Sequence, residues 1–204
     1  MSRRVVLYGG TFDPVTTAHT VVADQAQRLL QPDEFWFVVD NAPGRRKRVY
    51  APALLRLAMV GESVAGDPRF RVVDIEIRRG GVTYTAETMD ALHLSHPADR
   101  FELLVGADSA RTINSWRYAD RLLEREWFDI VNRSGEQPLT LDEAAALGYA
   151  PERTQLLEIA SPRLSASDVR RRVARGEPLD GLVPQPALDV IRREGLYAGR
   201  ATRA

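Results

Sequence analysis

Short apolar runs alternate with longer amphipathic stretches along almost the whole chain. An apolar run that ends in glycine or polar residues, such as 3–10, is typical of a buried strand. A stretch with apolar residues on one helical face, such as 18–30, is typical of an amphipathic helix. On this basis the sequence predicts strands at 3–10, 33–40, 70–77, 101–106 and 128–133 and helices at 18–30, 52–64, 85–96 and 118–126, with further elements at 141–148, 154–160, 165–176 and 185–195.

This alternation predicts an α/β fold with a doubly wound, mainly parallel sheet and a helical C-terminal end. No linker, repeat or low-complexity tract interrupts the pattern, so we expect residues 1–204 to form a single domain. In such sheets, ligands bind beyond the carboxyl ends of the strands. The first predicted strand ends at Gly9 and Gly10, and this pair is therefore expected at a ligand site.

The composition narrows the classes of function. The chain has 204 residues, 44% of them hydrophobic, and its 28 basic residues equal its 28 acidic residues. A balanced charge gives no general attraction to nucleic acid or to an anionic membrane, so an anion site must be local. The sequence contains no cysteine, which excludes disulfides and thiolate chemistry, and no apolar run long enough for a signal peptide or a membrane span. A cytoplasmic protein is expected.

Isolated histidines and tryptophans give weaker signals. His93 and His96 lie on or just after a predicted helix without a partner at metal-ligand spacing, so we expect them at the surface. Trp36 and Trp127 lie in or beside predicted strands and are expected in the core. The sequence predicts no metal site built from protein ligands alone.

The segment from Gly9 to Thr20, GGTFDPVTTAHT, carries the strongest chemical signal. The glycines allow close approach of the backbone to a ligand, and Thr16 or Thr17 can cap the following helix. N–H groups at the start of a helix favour an anion, and His19 could add a donor to the same anion. A capped strand–turn–helix with an exposed histidine is the alternative. The segment is neither a Walker loop nor the three-glycine dinucleotide fingerprint.

The same segment resembles the signature of the nucleotidyltransferase superfamily that carries a (His/Thr)-x-Gly-His motif and has a Rossmann-like fold. The resemblance implies transfer of a nucleoside monophosphate from a nucleoside triphosphate, with release of pyrophosphate. It places His19 at the α-phosphate and the Thr16 hydroxyl near the β-phosphate, with Mg²⁺ bridging the triphosphate. The ATP-binding residues it implies in this segment are Gly9, Gly10, Thr11, Phe12, Asp13 and His19.

Two further segments resemble bacterial nicotinate-nucleotide adenylyltransferases. DIEIRRGGVTYTAETMDAL (74–92) is similar to a family segment whose backbone meets the nicotinate carboxylate, which implies this role around Thr83, Tyr84 and Thr85. In GADSARTINSW (106–116), the resemblance implies that Asp108 contacts a ribose or helps to place magnesium. It also implies that Trp116 stacks on the pyridine ring.

The C-terminal half extends this resemblance. LSASDVRRRV (164–173) resembles the family's last motif, which implies that Ser165 and Ser167 offer hydroxyls and that Arg170 binds the triphosphate and takes part in catalysis. LVPQPALDVIRREGLY (182–197) resembles the family's C-terminal helix and its Gly-Leu-Tyr ending.

A basic loop in APGRRKRVYAPALLRLAM (42–59) corresponds to a substrate-side loop of that family. Arg45 and Arg46 match its basic positions and are expected to bind the acceptor. A solvated loop is the alternative interpretation, because charge runs are usually solvated. The cluster is short and lacks interleaved aromatic residues, so nucleic-acid binding is not expected.

Three positions depart from the family pattern: Thr16 replaces a histidine, Ala18 a glycine and Ala166 a serine. The leading interpretation is transfer of AMP from ATP to nicotinate mononucleotide in NAD biosynthesis. A related enzyme that transfers AMP or CMP to another small phosphate or phosphonate is an alternative, and a non-catalytic nucleotide-binding module is another. The expected partners are ATP and a small phosphorylated acceptor, and association into a homo-oligomer is left open.

Overall fold

The computed structural model describes residues 2–44 and 48–198. Within this part of the chain, six strands are Arg4–Gly10 (β1), Glu34–Val39 (β2), Phe70–Val73 (β3), Arg100–Gly106 (β4), Trp127–Arg133 (β5) and Thr154–Ile159 (β6). The α-helices are Thr17–Leu30 (α1), Ala53–Val64 (α2), Ile75–Arg79 (α3), Thr85–Ser95 (α4), Ala107–Ala110 (α5), Ala119–Arg125 (α6), Leu141–Ala146 (α7), Ala166–Arg175 (α8) and Gln185–Arg193 (α9). Short 3₁₀ turns cover Ile113–Ser115 and Pro151–Arg153. None of the helices in these two ranges is long and apolar enough to cross a membrane.

The strands form one sheet in the order β3-β2-β1-β4-β5-β6, and each neighbouring pair is parallel. The order reverses direction between β1 and β4, which pair with Tyr8 opposite Leu104. The predicted doubly wound parallel sheet is therefore confirmed. The carboxyl ends of β1 and β4 make the crevice where this type of sheet binds ligands.

Apolar side chains from the strands fill a core on each face of the sheet. Val6 packs with residues of α1, α2 and α9 on one face, whereas Val5 and Leu7 pack with residues of α4 and α6 on the other. This alternation follows from the two-residue period of a strand. Trp36 is 2% exposed and confirms its expected core position.

Trp127 is not in the core, which corrects the expectation for it. It is partly exposed, and the guanidinium carbon of Arg100 lies 4.5 Å from the centre of its ring. Trp127 is the first residue of β5 and therefore lies at the amino-terminal edge of the sheet, whereas the next five residues of the strand are buried.

The strand predicted at 70–77 is wrong beyond Val73. The chain instead turns into helix α3, in which Arg78 N–H donates to Asp74 O at 2.8 Å and Gly80 N–H to Glu76 O at 3.0 Å. Apolar and polar residues alternate at the end of the segment 70–77 with the two-residue period that is typical of a strand. Ile77 joins the core on one face of the sheet and Ile75 the core on the other.

The histidines on α4 are less exposed than expected. His93 is partly buried, and its Nε2 lies 3.0 Å from Oε2 of Glu126, whose side chain is 3% exposed. His96 is also partly buried, with its ring 5.6 Å from that of Trp36. The partner of His93 lies 33 residues away, so local spacing could not reveal it.

Candidate active site

Two adjoining cavities lie at the carboxyl ends of β1 and β4. One, of about 430 Å³, is lined by His19 and Arg170 and is called the His19 cavity below. The other, of about 650 Å³, is lined by Tyr84 and Arg117 and is called the Tyr84 cavity. Both are lined by Gly9, Gly10, Thr11, Leu104, Val105, Ser109 and Trp116. The site can therefore hold two ligands that meet over the end of β1.

Gly9 and Gly10, at this junction, have different structural roles. A Cβ on Gly9 would meet no atom within 4 Å, so this residue faces open space. A Cβ on Gly10 would lie 2.8 Å from Cζ of Phe12, so this glycine makes room for that ring. The residue with positive φ in the turn is Phe12, at 47°, and not either glycine. Gly9 is therefore the position where a ligand can approach the backbone closely.

His19 is held in one orientation by Thr16, the N-cap residue of α1. The backbone N–H of Thr16 donates to Nδ1 of His19 at 2.9 Å, and the Thr16 hydroxyl lies 2.8 Å from the same nitrogen. Because Nδ1 accepts an N–H bond, the proton of the neutral imidazole lies on Nε2. His19 thus brings an N–H donor to its cavity.

Thr16 itself lies behind His19. Its exposure is 0%, and neither cavity is lined by it. The expected contact between the Thr16 hydroxyl and a phosphate does not fit this position, because the hydroxyl faces the imidazole instead. Ala18 is also buried and lines neither cavity, whereas Ala166 lines the His19 cavity.

The carboxylate of Asp13 binds protein donors. Its oxygens accept from Tyr50 N–H at 2.7 Å, Ala51 N–H at 3.1 Å and the Tyr197 hydroxyl at 2.8 Å. Asp13 lines the His19 cavity but is 3% exposed. An expected ATP contact at Asp13 would therefore involve its backbone and not its carboxylate, which joins the loop after β1 to the C-terminal end of the chain.

A buried arginine supports the same loop. Arg56 on α2 is 0% exposed, and its Nη1 donates to Thr11 O at 2.7 Å and to Asp40 Oδ1 at 2.8 Å. The Thr11 hydroxyl donates to the other oxygen of Asp40 at 2.7 Å. Nη2 donates to Asn41 O at 2.8 Å and Nε to Ala51 O at 3.1 Å. One guanidinium thus ties together the loops that follow β1 and β2.

Residues at the start of α8 form the opposite wall of the His19 cavity. Ser165 caps the helix, since its hydroxyl accepts from Asp168 N–H at 3.1 Å and donates to Asp168 Oδ2 at 2.6 Å. Arg170 donates to Ser167 Oγ at 2.8 Å and to Asp13 O at 2.5 Å. Ser165, Ser167 and Arg170 all line the cavity, and their expected contact with a triphosphate stays a prediction.

Sequence reasoning missed Arg133 and Tyr8. Arg133 ends β5 and lines the His19 cavity, with Nη2 3.6 Å from Oδ1 of Asp108 and Nε 3.1 Å from Glu136. The Tyr8 ring also lines this cavity, with its centre 6.3 Å from that of the His19 ring, and burial raises the pKa of its phenol. A charged residue at the carboxyl end of a predicted strand was the signal that could have identified Arg133.

The Tyr84 cavity combines a helix start with aromatic rings. Helix α4 begins at Thr85, with Tyr84 as its N-cap, and the first N–H groups of a helix have no intrahelical acceptor. Thr83 anchors this turn, since its N–H donates to Ala42 O at 2.9 Å. Trp116 lines both cavities and is partly exposed. Thr83, Tyr84, Thr85 and Trp116 are thus brought together as expected.

Glu76, a residue that the sequence analysis left without a role, forms one wall of this cavity. It is 8% exposed, and the Thr88 hydroxyl donates to its Oε1 at 2.7 Å. Burial raises the pKa of the Glu76 carboxyl, although the bond from Thr88 opposes this shift.

The basic loop is only partly described. Arg45 and Arg46 lie outside the described residues, so their expected contact with an acceptor stays a prediction. Arg48, the last basic residue of this run, stacks its guanidinium 4.8 Å from the ring centre of Tyr50. Arg170 stacks on the same ring at 4.4 Å.

Sequence comparison relates the chain to proteins of known class. Residues 7–172 match the family model described as cytidylyltransferase-like. A relative from Herpetosiphon aurantiacus, named a probable nicotinate-nucleotide adenylyltransferase, is 35% identical over 198 residues, which cover 96% of this chain and 98% of the relative. A relative of the same name from Frankia casuarinae is 38% identical over 192 residues, which cover 94% of this chain and 98% of the relative.

Solved structures show the same fold at lower identity. The nicotinic acid mononucleotide adenylyltransferase of Plasmodium falciparum, complexed with NaAD, superposes with a TM-score of 0.80 at 22% identity. The superposition covers 96% of this chain and 97% of that chain. A second structure of the same protein, complexed with APC, gives a TM-score of 0.78 at 20% identity.

Proposed function

Since the chain belongs to the cytidylyltransferase-like family and, within it, to the nicotinate-nucleotide adenylyltransferases, we propose that it transfers AMP from ATP to nicotinate mononucleotide. The products are nicotinate adenine dinucleotide and pyrophosphate, and the reaction belongs to NAD biosynthesis. The observation that carries this proposal is the pair of joined cavities, with the imidazole of His19, whose Nδ1 accepts the Thr16 N–H, lining one, and a helix start with aromatic rings lining the other.

ATP would occupy the His19 cavity, with its α-phosphate near the open backbone of Gly9. A phosphate oxygen of the acceptor attacks the α-phosphorus from the Tyr84 cavity, and the bond to the β-phosphate bridging oxygen breaks. No covalent enzyme intermediate is required, so alignment of the two substrates and stabilisation of charge supply the rate.

His19 would stabilise the charge that develops on the α-phosphate oxygens. Its Nε2–H is a fixed donor because Nδ1 is occupied by the Thr16 N–H. A donor that is oriented before the reaction costs no reorganisation in the transition state. The role of Thr16 is then to orient the imidazole and not to bind phosphate.

The β- and γ-phosphates would lie against Arg170, Ser165 and Ser167. Arg170 is held by Asp13 O and by Ser167, so its position is set before ATP arrives. Arg133 brings a second guanidinium to this cavity. Two cations and the first N–H groups of α8 together suit the charge of a departing pyrophosphate.

Magnesium fits this cavity through Asp108. Of the two carboxylates that line it among the described residues, Asp13 is occupied by protein donors, whereas the Asp108 side chain is 66% exposed. The ion would be held by Asp108 and by phosphate oxygens. When bound, the magnesium ion would neutralise part of the negative charge of the triphosphate.

The acceptor would place its pyridine ring against Trp116 and its carboxylate at the start of α4. An aromatic ring stacked on another contributes about 0.5–1.5 kcal/mol beyond the area it buries. Backbone N–H groups of Thr85 and Ala86, at the positive end of the helix dipole, suit a carboxylate.

The decisive experiment measures pyrophosphate release with magnesium, ATP and a panel of acceptors. Nicotinate mononucleotide is expected to support turnover, and His19→Ala is expected to lower kcat by about 10²- to 10³-fold because a preorganised donor is lost. His96→Ala is a matched control, since that imidazole packs on Trp36 and lines neither cavity. Thermal unfolding of both variants checks that they remain folded.

Other outcomes would redirect the proposal. Pyrophosphate release only with another small phosphate or phosphonate would assign the chain to a different nucleotidyl transfer that uses the same site residues. ATP binding without release from any acceptor would indicate a non-catalytic nucleotide-binding module.

A further inference from the structure

Arg117 occupies a position in the Tyr84 cavity that neither the sequence motifs nor the proposed mechanism uses. It follows Trp116 and lines the cavity beside Tyr84. Its guanidinium carbon lies 5.2 Å from the ring centre of Tyr84 and 4.7 Å from that of Tyr118. Its Nη2 donates to the Tyr118 hydroxyl at 2.9 Å. The side chain therefore lies across the aromatic wall near the start of α4.

Arg117 is not paired with a carboxylate, although Glu87 on α4 interacts with it electrostatically without forming an ion pair. Among residues 2–44 and 48–198 it forms no ion pair, whereas the neighbouring Arg121 pairs with Asp90. Arg117 is also the only cation among the described residues that line the Tyr84 cavity. A cation without an ion-pair partner can pair with a ligand without first breaking an internal bond to a carboxylate.

The carboxyl groups of this cavity do not compensate Arg117. Asp40 is already neutralised by Arg56 at 2.8 Å and accepts from the Thr11 hydroxyl. Glu76 is 8% exposed, and its Oε1 accepts from the Thr88 hydroxyl at 2.7 Å and forms no ion pair with Arg117. Among the described residues that line this cavity, the positive charge beside Tyr84 therefore comes from Arg117.

We propose that Arg117 determines the specificity of this site for an acceptor whose aromatic ring carries an anionic carboxylate, against one that carries a neutral carboxamide. This inference rests on the proposed function. It adds the residue by which the site would select its acceptor according to the charge on the aromatic ring. N–H groups at the start of α4 can bond to a carboxylate oxygen or to an amide oxygen, so hydrogen bonding there separates the two acceptors weakly. A full positive charge near Tyr84 favours only the anion.

The test compares nicotinate mononucleotide with nicotinamide mononucleotide. In Arg117→Gln, which keeps length and hydrogen-bonding capacity but loses the charge, kcat/KM for the nicotinate nucleotide is expected to fall about five- to tenfold. kcat/KM for the nicotinamide nucleotide is expected to change little. Arg117→Lys keeps the charge and should retain most of the preference. Raising the ionic strength should lower the ratio of kcat/KM for the nicotinate nucleotide to kcat/KM for the nicotinamide nucleotide in the unchanged protein. The same ratio in Arg117→Gln should not change.

Arg121→Gln is the matched control. Arg121 also stacks on Tyr118, at 5.2 Å, but it is paired with Asp90 and lines neither cavity. Its replacement should leave the ratio of the two kcat/KM values unchanged. An equal loss for both acceptors in Arg117→Gln, or an unchanged ratio, would overturn the inference.

Calorimetric binding of each mononucleotide separates this inference from the proposed function. If the unchanged protein releases no pyrophosphate with nicotinate mononucleotide, the proposed reaction fails. The binding measurement still tests Arg117 in that case. If the unchanged protein binds the nicotinate nucleotide more tightly and Arg117→Gln does not, the inference is supported. If the variant keeps this preference, or if the unchanged protein binds neither nucleotide, the inference is refuted.

Discussion

Nδ1 of His19 accepts the backbone N–H of Thr16 at 2.9 Å, with the Thr16 hydroxyl 2.8 Å from the same nitrogen. The start of helix α1 therefore determines which imidazole nitrogen carries the proton. The residue that replaces the family's first histidine is buried behind the second and touches neither cavity. Orientation of His19 depends first on the backbone of residue 16 and only then on its side chain.

Thr16→Val tests that order of importance. Valine keeps the shape and the backbone N–H but removes the hydroxyl, so kcat is expected to fall about tenfold or less. Steady-state kinetics measure the change, with Thr17→Val as a control because its hydroxyl bonds to Gly181 O at 2.9 Å. A loss as large as that of His19→Ala would show that the hydroxyl acts on the substrate directly.

Adjacent glycines at the end of β1 should respond in opposite ways to alanine. Gly10→Ala places a Cβ 2.8 Å from the Phe12 ring, so we expect a loss of about 1–3 kcal/mol in the free energy of unfolding. Gly9→Ala meets no protein atom within 4 Å, so stability should hold while the KM for ATP rises. Chemical denaturation and kinetics on both variants distinguish packing from ligand approach. Equal destabilisation of the two variants would contradict this assignment.

Removal of the Arg56 guanidinium should destabilise the whole site. Arg56→Met leaves Asp40 without its cation and several backbone carbonyls without their donor, at an expected cost of about 3–5 kcal/mol. The Arg56→Met/Asp40→Asn double variant should recover part of this loss. Arg71→Met is the control, since that side chain is 58% exposed. Denaturation curves give the free energy of unfolding of each variant. A loss below about 1 kcal/mol in Arg56→Met would show that the guanidinium is not needed to hold the loops.

The hydroxyl of Tyr197 should contribute to both stability and ATP binding. It donates to Asp13, whose backbone oxygen positions Arg170. Tyr197→Phe is expected to cost about 1–2 kcal/mol of unfolding free energy and to raise the KM for ATP more than it changes kcat. Tyr50→Phe is the control, because its ring stacks on Arg170 and none of the hydrogen bonds seen among the described residues involves its hydroxyl. A change in kcat alone would point to a different role for Tyr197.

Stability should depend on pH through Asp129. This carboxyl is 3% exposed, beside Glu102 at the amino-terminal edge of the sheet, and burial together with the charge of Glu102 raises its pKa to about 7. A raised pKa means that the folded protein binds the proton more tightly than the unfolded chain. The stabilisation is therefore complete below the unfolded pKa of about 3.9 and is lost as the pH rises through about 7.

Asp129→Asn removes this titration. Unfolding free energy of the unchanged protein is expected to fall by about 1 kcal/mol per unit between about pH 5 and about pH 7, and the variant should show a flatter profile. Asp142→Asn, at an exposed position, should keep the original slope. Parallel profiles for the unchanged protein and Asp129→Asn would exclude this carboxyl as the cause.

Local spacing in the sequence was enough to predict most helices and strands to within one or two residues, because periodicity reports which face of each element is buried. The same spacing indicated a possible anion site at Gly9 to Thr20, since glycines, a cap and His19 follow one another within a single strand–turn–helix unit, and the resemblance to a family added the nucleotide. It failed at Ile75 and Ile77, whose strand-like alternation arises from two separate cores. A single domain over 1–204 and a cytoplasmic location stay predictions, and the sequence left association into a homo-oligomer open.

Tertiary structure alone decided which side chains support the site. Tyr197 and Asp13 are 184 residues apart, and Arg56 reaches Thr11 across 45. Such contacts depend on the order of strands in the sheet, which brings the carboxyl ends of β1, β4 and β5 together, and no local pattern encodes that order. The sequence by itself therefore determined the fold class and the position of the motifs that resemble those of the family. The fold decided that Thr16 orients His19, that Arg133 lines the His19 cavity, and that Arg117 lines the Tyr84 cavity.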